Sequence, residues 1–131
     1  MINFACEIVD ISPTQLVNLA DTPIEILHSI ENEILIPHRI ALLYYPLSIP
    51  YIVEDSNIVI TFSDIIFGNI DPILFSKTIN VASLINIQDC TFVQFDNLIN
   101  QSLILKNLGK NLTDGDGRLK VFIWYSTIDM S

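Results

Sequence analysis

Apolar residues in this chain recur mostly with a period of two, the spacing that sends alternate side chains to one face of an extended strand. The clearest case is residues 118–125, where Leu119, Val121, Ile123 and Tyr125 share one side and Phe122 and Trp124 the other. The first set reads as core. A strand wetted on its second side would carry polar residues at 122 and 124, so these aromatics predict a second covered surface. Sheet packing within the chain and a contact between subunits both satisfy that requirement, and alternation does not separate them. Residues 101–106 read as another strand. The linker between the two holds Gly109, Gly115 and Gly117 with Asn107, Asn111, Asp114 and Asp116, residues that tolerate positive φ and close tight connections. A β-hairpin with a long, bent connection is the expectation.

Upstream, Ile2, Phe4, Cys6 and Ile8 alternate with Asn3, Ala5, Glu7 and Val9, a short strand. Ser12 before Pro13 reads as an N-cap followed by a proline at the first helical position. The helix is one or two turns long and is stopped by Asp21-Thr-Pro23. Residues 24–27 form a strand. Residues 34–45 are apolar on both faces and read as a central strand with a bend or bulge at Pro37, which cannot donate to a ladder. After the break at 46–50 and a turn at 54–57, residues 57–62 are a strand with Ile58, Ile60 and Phe62 inward. Residues 63–71 show neither period. Asp71 can cap a single turn at 72–75. Residues 76–89 read as loop with a short strand, and 91–95, aromatic and β-branched, as a strand. About eight short strands separated by turn signals predict a single-domain antiparallel β-sandwich over residues 1–131, jelly-roll-like, with one or two short helical turns.

The runs Gln101-Ser-Leu-Ile-Leu-Lys-Asn-Leu-Gly109 and Leu112-Thr-Asp-Gly-Asp-Gly-Arg-Leu-Lys-Val-Phe-Ile-Trp-Tyr125 resemble the closing signature of a family of small tailed-phage-encoded β-sandwich proteins. There a strand leads into a Thr-Gly-Gly-Asp-Gly-type turn and a final Leu-x-Val-x-Val-x-Tyr strand. The opening, residues 11–27, is similar to the family's helical turn, Thr-Pro and strand. The family's glycine-rich loop is replaced here by His28-Ser-Ile-Glu-Asn-Glu33. The resemblance implies a compact β-sandwich that is part of a virion, with no catalytic residues.

Half of the 131 residues are apolar and mean hydropathy is +0.49, high for a soluble monomer. Either the core is large or partners cover apolar surface. No run approaches the roughly twenty apolar residues needed to span a bilayer, so no membrane insertion is expected. The start has no basic residue ahead of its short apolar stretch, which argues against a signal peptide. Fifteen acidic and six basic side chains give a formal charge of −9. That field repels phosphate backbones and speaks against a nucleic-acid partner. Cys6 and Cys90 are far apart in apolar settings and read as two buried thiols.

Candidate chemistry is sparse. Asp114-Gly-Asp-Gly117 matches half of a calcium loop, but Arg118 stands where a third oxygen ligand belongs and the closing glutamate is missing, so turn chemistry is the better account. His28 and His38 lack neighbours at metal-ligand spacing. There is no Gly-x-Ser-x-Gly elbow and no phosphate-cradling glycine loop. No cofactor, metal or catalytic residue is assigned, and an enzyme is not expected. The resulting expectation is a structural component of a tailed-phage virion, assembled in the host cytoplasm, as a head decoration, neck or tail-associated protein. It would act through contacts with other virion proteins and copies of itself, with Phe122 and Trp124 as candidate interface residues. The alternative is a glycan- or receptor-binding module of a fibre. There Tyr44, Tyr45 and Tyr51, clustered around Pro46 and Pro50, would form the ligand platform for a host-surface glycan.

Overall fold

The computed structural model describes residues 2–62, 65–87 and 97–131. In chain order the elements are β1 (Ile2–Ile11), α1 (Pro13–Val17), β2 (Ile24–Leu27), β3 (Glu33–Tyr45), β4 (Ile58–Phe62) and β5 (Ile65–Ile70). A 3-10 turn (Pro72–Ser76), β6 (Val81–Leu84), β7 (Asn86–Ile87), β8 (Leu103–Asn107) and β9 (Arg118–Asp129) follow. The strands form two sheets, ordered β1-β9-β3-β6 and β2-β8-β4-β5-β7, with antiparallel pairing throughout. β1 pairs with β9, β2 with β8, β3 with β6 and β4 with β5. This is the jelly-roll order, a chain doubled back on itself and wrapped into two sheets. β7 adds a short fifth strand to the second sheet. One cluster of buried side chains, including Ile11, Leu16, Leu42, Ile60, Leu105 and Val121, fills the space between the sheets.

The local signals act as their chemistry requires. Ser12 Oγ accepts from the Gln15 backbone N–H at 3.2 Å and Gln15 Oε1 accepts from the Ser12 N–H at 2.9 Å. This capping box contributes about 1 kcal/mol. Asp71 Oδ1 accepts from the Ile73 N–H at 3.1 Å and starts the 3-10 turn. In β3, Pro37 lies opposite Tyr125 and Arg39 opposite Trp124, so His38 is the extra residue of a bulge. Residues 65–70, which show no period, are nonetheless a strand, held in place between β4 and β7. All five residues of β4 are buried, including Val59 and Thr61 as well as the three inward positions. The Thr61 hydroxyl has no hydrogen-bond partner among the described residues.

Three expectations are corrected. β8 and β9 do not form a hairpin: they lie in different sheets, and residues 108–117 cross the sandwich between them. Each strand carries its own buried row, Leu103 and Leu105 on β8 and Leu119, Val121 and Ile123 on β9. Facing each other across the core buries both rows as well as adjacency would. Cys6 is exposed, because Phe4, Cys6 and Ile8 take the outer side of β1 while Ile11 enters the core. The described glycines have no positive φ; Asn32, Asp55, Asn100 and Asp114 take that conformation, with φ of 59–63°. Cys90 and the strand predicted at 91–95 lie outside the described residues. No helix among the described residues is long and apolar enough to cross a membrane.

Candidate functional site

β9 is the second strand of its sheet, between β1 and β3, and its inner row is committed to the core. Phe122 and Trp124 therefore point away from the second sheet. Strand register places other apolar side chains beside them. Ile8, Phe122, Ala41 and Leu84 form one row across all four strands, and Cys6, Trp124 and Arg39 the next. Along these rows Ile8 is 53%, Leu84 68% and Trp124 37% exposed, and Phe4 at the end of the face is 77% exposed.

The rings on this face are ordered by one another. Phe122 and Trp124 stack with centroids 6.1 Å apart and planes at 19°. The Arg39 guanidinium lies 5.8 Å from the Trp124 ring centre, within cation–π range. Phe4 stacks on His38 at 5.9 Å, and His38 Nε2 is 2.7 Å from Ser126 Oγ. The bulge at His38 thus has a local purpose: the extra residue turns an imidazole under Phe4. Aromatic and arginine side chains held in place before contact are the groups that anchor protein interfaces, since little rotamer freedom is left to lose. The face also concentrates basic charge. By the same alternation it carries Arg39, Arg118 and Lys120, three of the six basic residues in a chain of net charge −9. Asp10 offsets one of them, 3.7 Å from Lys120 Nζ.

The tyrosines divide differently from the platform reading. Tyr44 and Tyr51 are 1% and 3% exposed, and only Tyr45, at 39%, reaches solvent. Tyr44 and Tyr51 pack edge-on against Phe75, with centroids at 5.5 and 6.3 Å. A stacking surface of three tyrosines does not form, because two of the rings belong to the core. Their hydroxyls are satisfied inside: Tyr51 donates to the Gly117 carbonyl at 2.7 Å and Tyr44 to the Phe75 carbonyl at 3.2 Å. Burial raises both phenol pKa values above the ordinary tyrosine value, and for both the nearby Asp116 charge adds to the effect.

The Asp-Gly turn is the lid of this knot. A Cβ at Gly115 would fall on the Tyr51 ring, and one at Gly117 on the Tyr44 phenol. The glycines are there for close approach of backbone to aromatic ring. Asp116 turns back and accepts from the backbone N–H groups of Ser48 and Ile49 at 3.0 and 2.9 Å, tying the turn to the segment after β3. Tyr45, Arg118, Lys120, Asp10 and Ser12 line a cleft of about 400 Å³ on the same side.

One polar cluster was not legible in the sequence. Ser102 Oγ donates to Glu25 Oε1, which also lies 3.0 Å from His28 Nδ1. The Ser102 hydroxyl bond, then that of His28, holds the Glu25 carboxyl below the ordinary carboxylate range. The carboxylate sits between the other two, so no imidazole abuts the serine, and the arrangement does not activate a nucleophile. Among the described residues no three His, Cys, Asp or Glu side chains converge on a metal site. No protein-family model matches the chain, and no curated protein matches it either.

Proposed function

We propose that this protein is a structural component of a tailed-phage virion, as a head decoration, neck or tail-associated protein, that works by burying the outer face of its first sheet against neighbouring proteins. The observation that carries the reading is the apolar row Ile8, Phe122, Ala41 and Leu84 with Trp124 beside it, a contiguous apolar face that spans all four strands of the first sheet. The phage assignment draws on the resemblance of residues 11–27 and 101–125 to small phage-encoded sandwich proteins. The jelly-roll order is compatible with it but hosts many functions and decides none of them. Net acidity argues against a genome-binding role. The local excess of Arg39, Arg118 and Lys120 suits an acidic neighbour. The glycan-binding alternative is weakened, since Tyr45 alone of its three rings is exposed.

The test is quantitative mass spectrometry of purified virions of the encoding phage, made with wild-type protein and with Trp124→Ala. A copy number near that of the major capsid protein indicates head decoration, and a few to a few dozen copies a neck or tail position. Trp124→Ala is expected to lower the incorporated copy number while the purified variant still folds cooperatively. Absence of the wild-type protein from the particle overturns the proposal.

A further inference from the structure

A two-sheet sandwich has four edges, and among the described residues three of them are short: β2 and β6 have four residues each and β7 two. Short edges are one way proteins avoid unwanted pairing. The fourth edge, β1, is ten residues long. Among the described residues it pairs only with β9, and Phe4, Ala5, Cys6, Glu7 and Ile8 are all exposed. Its one protective feature is Glu7, a charge on the inner side of the strand opposite Ile123. β1 has no proline, no lysine, no arginine and no bulge, and its charges are Glu7 and Asp10 alone.

We infer that β1 is the self-association edge of the protein: two copies pair β1 antiparallel about a two-fold axis at Cys6, joining their first sheets into one of eight strands. This deepens the assembly reading by making the first partner a second copy. The argument for a second copy lies in the strand's own sequence. A two-fold axis normal to the sheet keeps outer side chains opposite outer side chains, so only even register sums are allowed. Centring the axis on Cys6 sets Phe4 opposite the partner's Ile8, Glu7 opposite the partner's Ala5, and Asp10 opposite the partner's Ile2. Phe4, the most exposed aromatic among the described residues, then has an apolar neighbour. Its contact continues the row of Ile8, Phe122, Ala41 and Leu84 across the axis. Centring on Glu7 instead would oppose two carboxylates directly, which is unfavourable. The main-chain groups along β1 supply the hydrogen bonds, as in strand addition generally. At net charge −9 per copy, long-range repulsion opposes the pairing and salt screens it.

Sedimentation of the purified full chain tests this. The expected result is a concentration-dependent dimer that strengthens with ionic strength. Ile8→Lys or Phe4→Lys should weaken it at least tenfold with the melting temperature little changed. Leu47→Lys, at a side chain 78% exposed and off this face, should leave it intact. In a Cys90→Ser background, diamide, which takes two electrons and two protons from a thiol pair, should link the dimer through Cys6. The opposed Cα atoms of such a pair lie within disulfide range. A monomer at tens of micromolar, a trimer, or a dimer indifferent to Ile8→Lys overturns the inference. A monomeric protein that is still found in virions overturns only this self-pairing and leaves the virion role standing.

Discussion

Gly115→Ala isolates the contact on which the Asp-Gly turn is built. Gly115 does not have a positive φ, so alanine meets no backbone penalty. In an unconstrained loop the change would stabilise by about 0.4–1 kcal/mol by restricting the unfolded chain. Here the added methyl falls on the Tyr51 ring. That ring cannot step aside freely: its backbone N–H donates to the Phe75 carbonyl at 3.1 Å and its hydroxyl to the Gly117 carbonyl at 2.7 Å. Overpacking costs about 1–3 kcal/mol, and losing the buried hydroxyl bond adds about 1 kcal/mol or more. The expected destabilisation is about 2–4 kcal/mol, a large part of the roughly 5–15 kcal/mol that holds a typical domain. Urea unfolding followed by circular dichroism reads it as a lower midpoint at unchanged slope. With Tyr51→Ala the obstructing ring is gone, and adding Gly115→Ala to that background should cost almost nothing further. A neutral or stabilising Gly115→Ala, or an equal cost in both backgrounds, refutes the reasoning.

Burial holds Tyr44 and Tyr51 protonated above the ordinary value of 10.0, so above about pH 10 the unfolded chain releases protons that the folded chain keeps. Stability then falls as pH rises, by up to about 1.4 kcal/mol per pH unit for each tyrosine. Tyrosinate absorbance should show two of the four tyrosines ionising only as the ellipticity is lost; four titrating freely with the fold intact would contradict the burial. Asp116→Ala removes the acceptor for the Ser48 and Ile49 N–H groups and should cost about 1–2 kcal/mol. Asp116→Asn, which keeps one carbonyl oxygen, should recover part of that midpoint in the same urea assay.

The sequence revealed what depends on neighbours along the chain. Ser12 with Pro13, Asp71 before the 3-10 turn, the bulge beside Pro37 and the inward row of β9 were all readable, because cap, turn and alternation are local properties. Alternation in β1 announced a strand but not which side faces the core. Ile2, Phe4, Cys6 and Ile8 look like a core row until the register with β9 sets Phe4, Cys6 and Ile8 beside Phe122 and Trp124 on the outside. The hairpin error had the same origin. Residues 101–125 are contiguous and suited to a turn, yet the partners of β8 are β2 and β4. Glycines in an Asp-Gly turn suggest torsion, yet the reason for these is two tyrosine rings met from more than sixty residues away.

That β1 pairs, among the described residues, with β9 alone also has a consequence in time. The two strands meet across a separation of roughly a hundred residues. At synthesis rates of about 5–20 residues per second, β1 leaves the ribosome on the order of ten seconds before its partner exists. Throughout that interval Phe4 and Ile8 belong to an open, apolar, unpaired segment. Nascent chains emerging side by side on one messenger would hold such segments close together, so the same strand that joins finished copies could entangle unfinished ones.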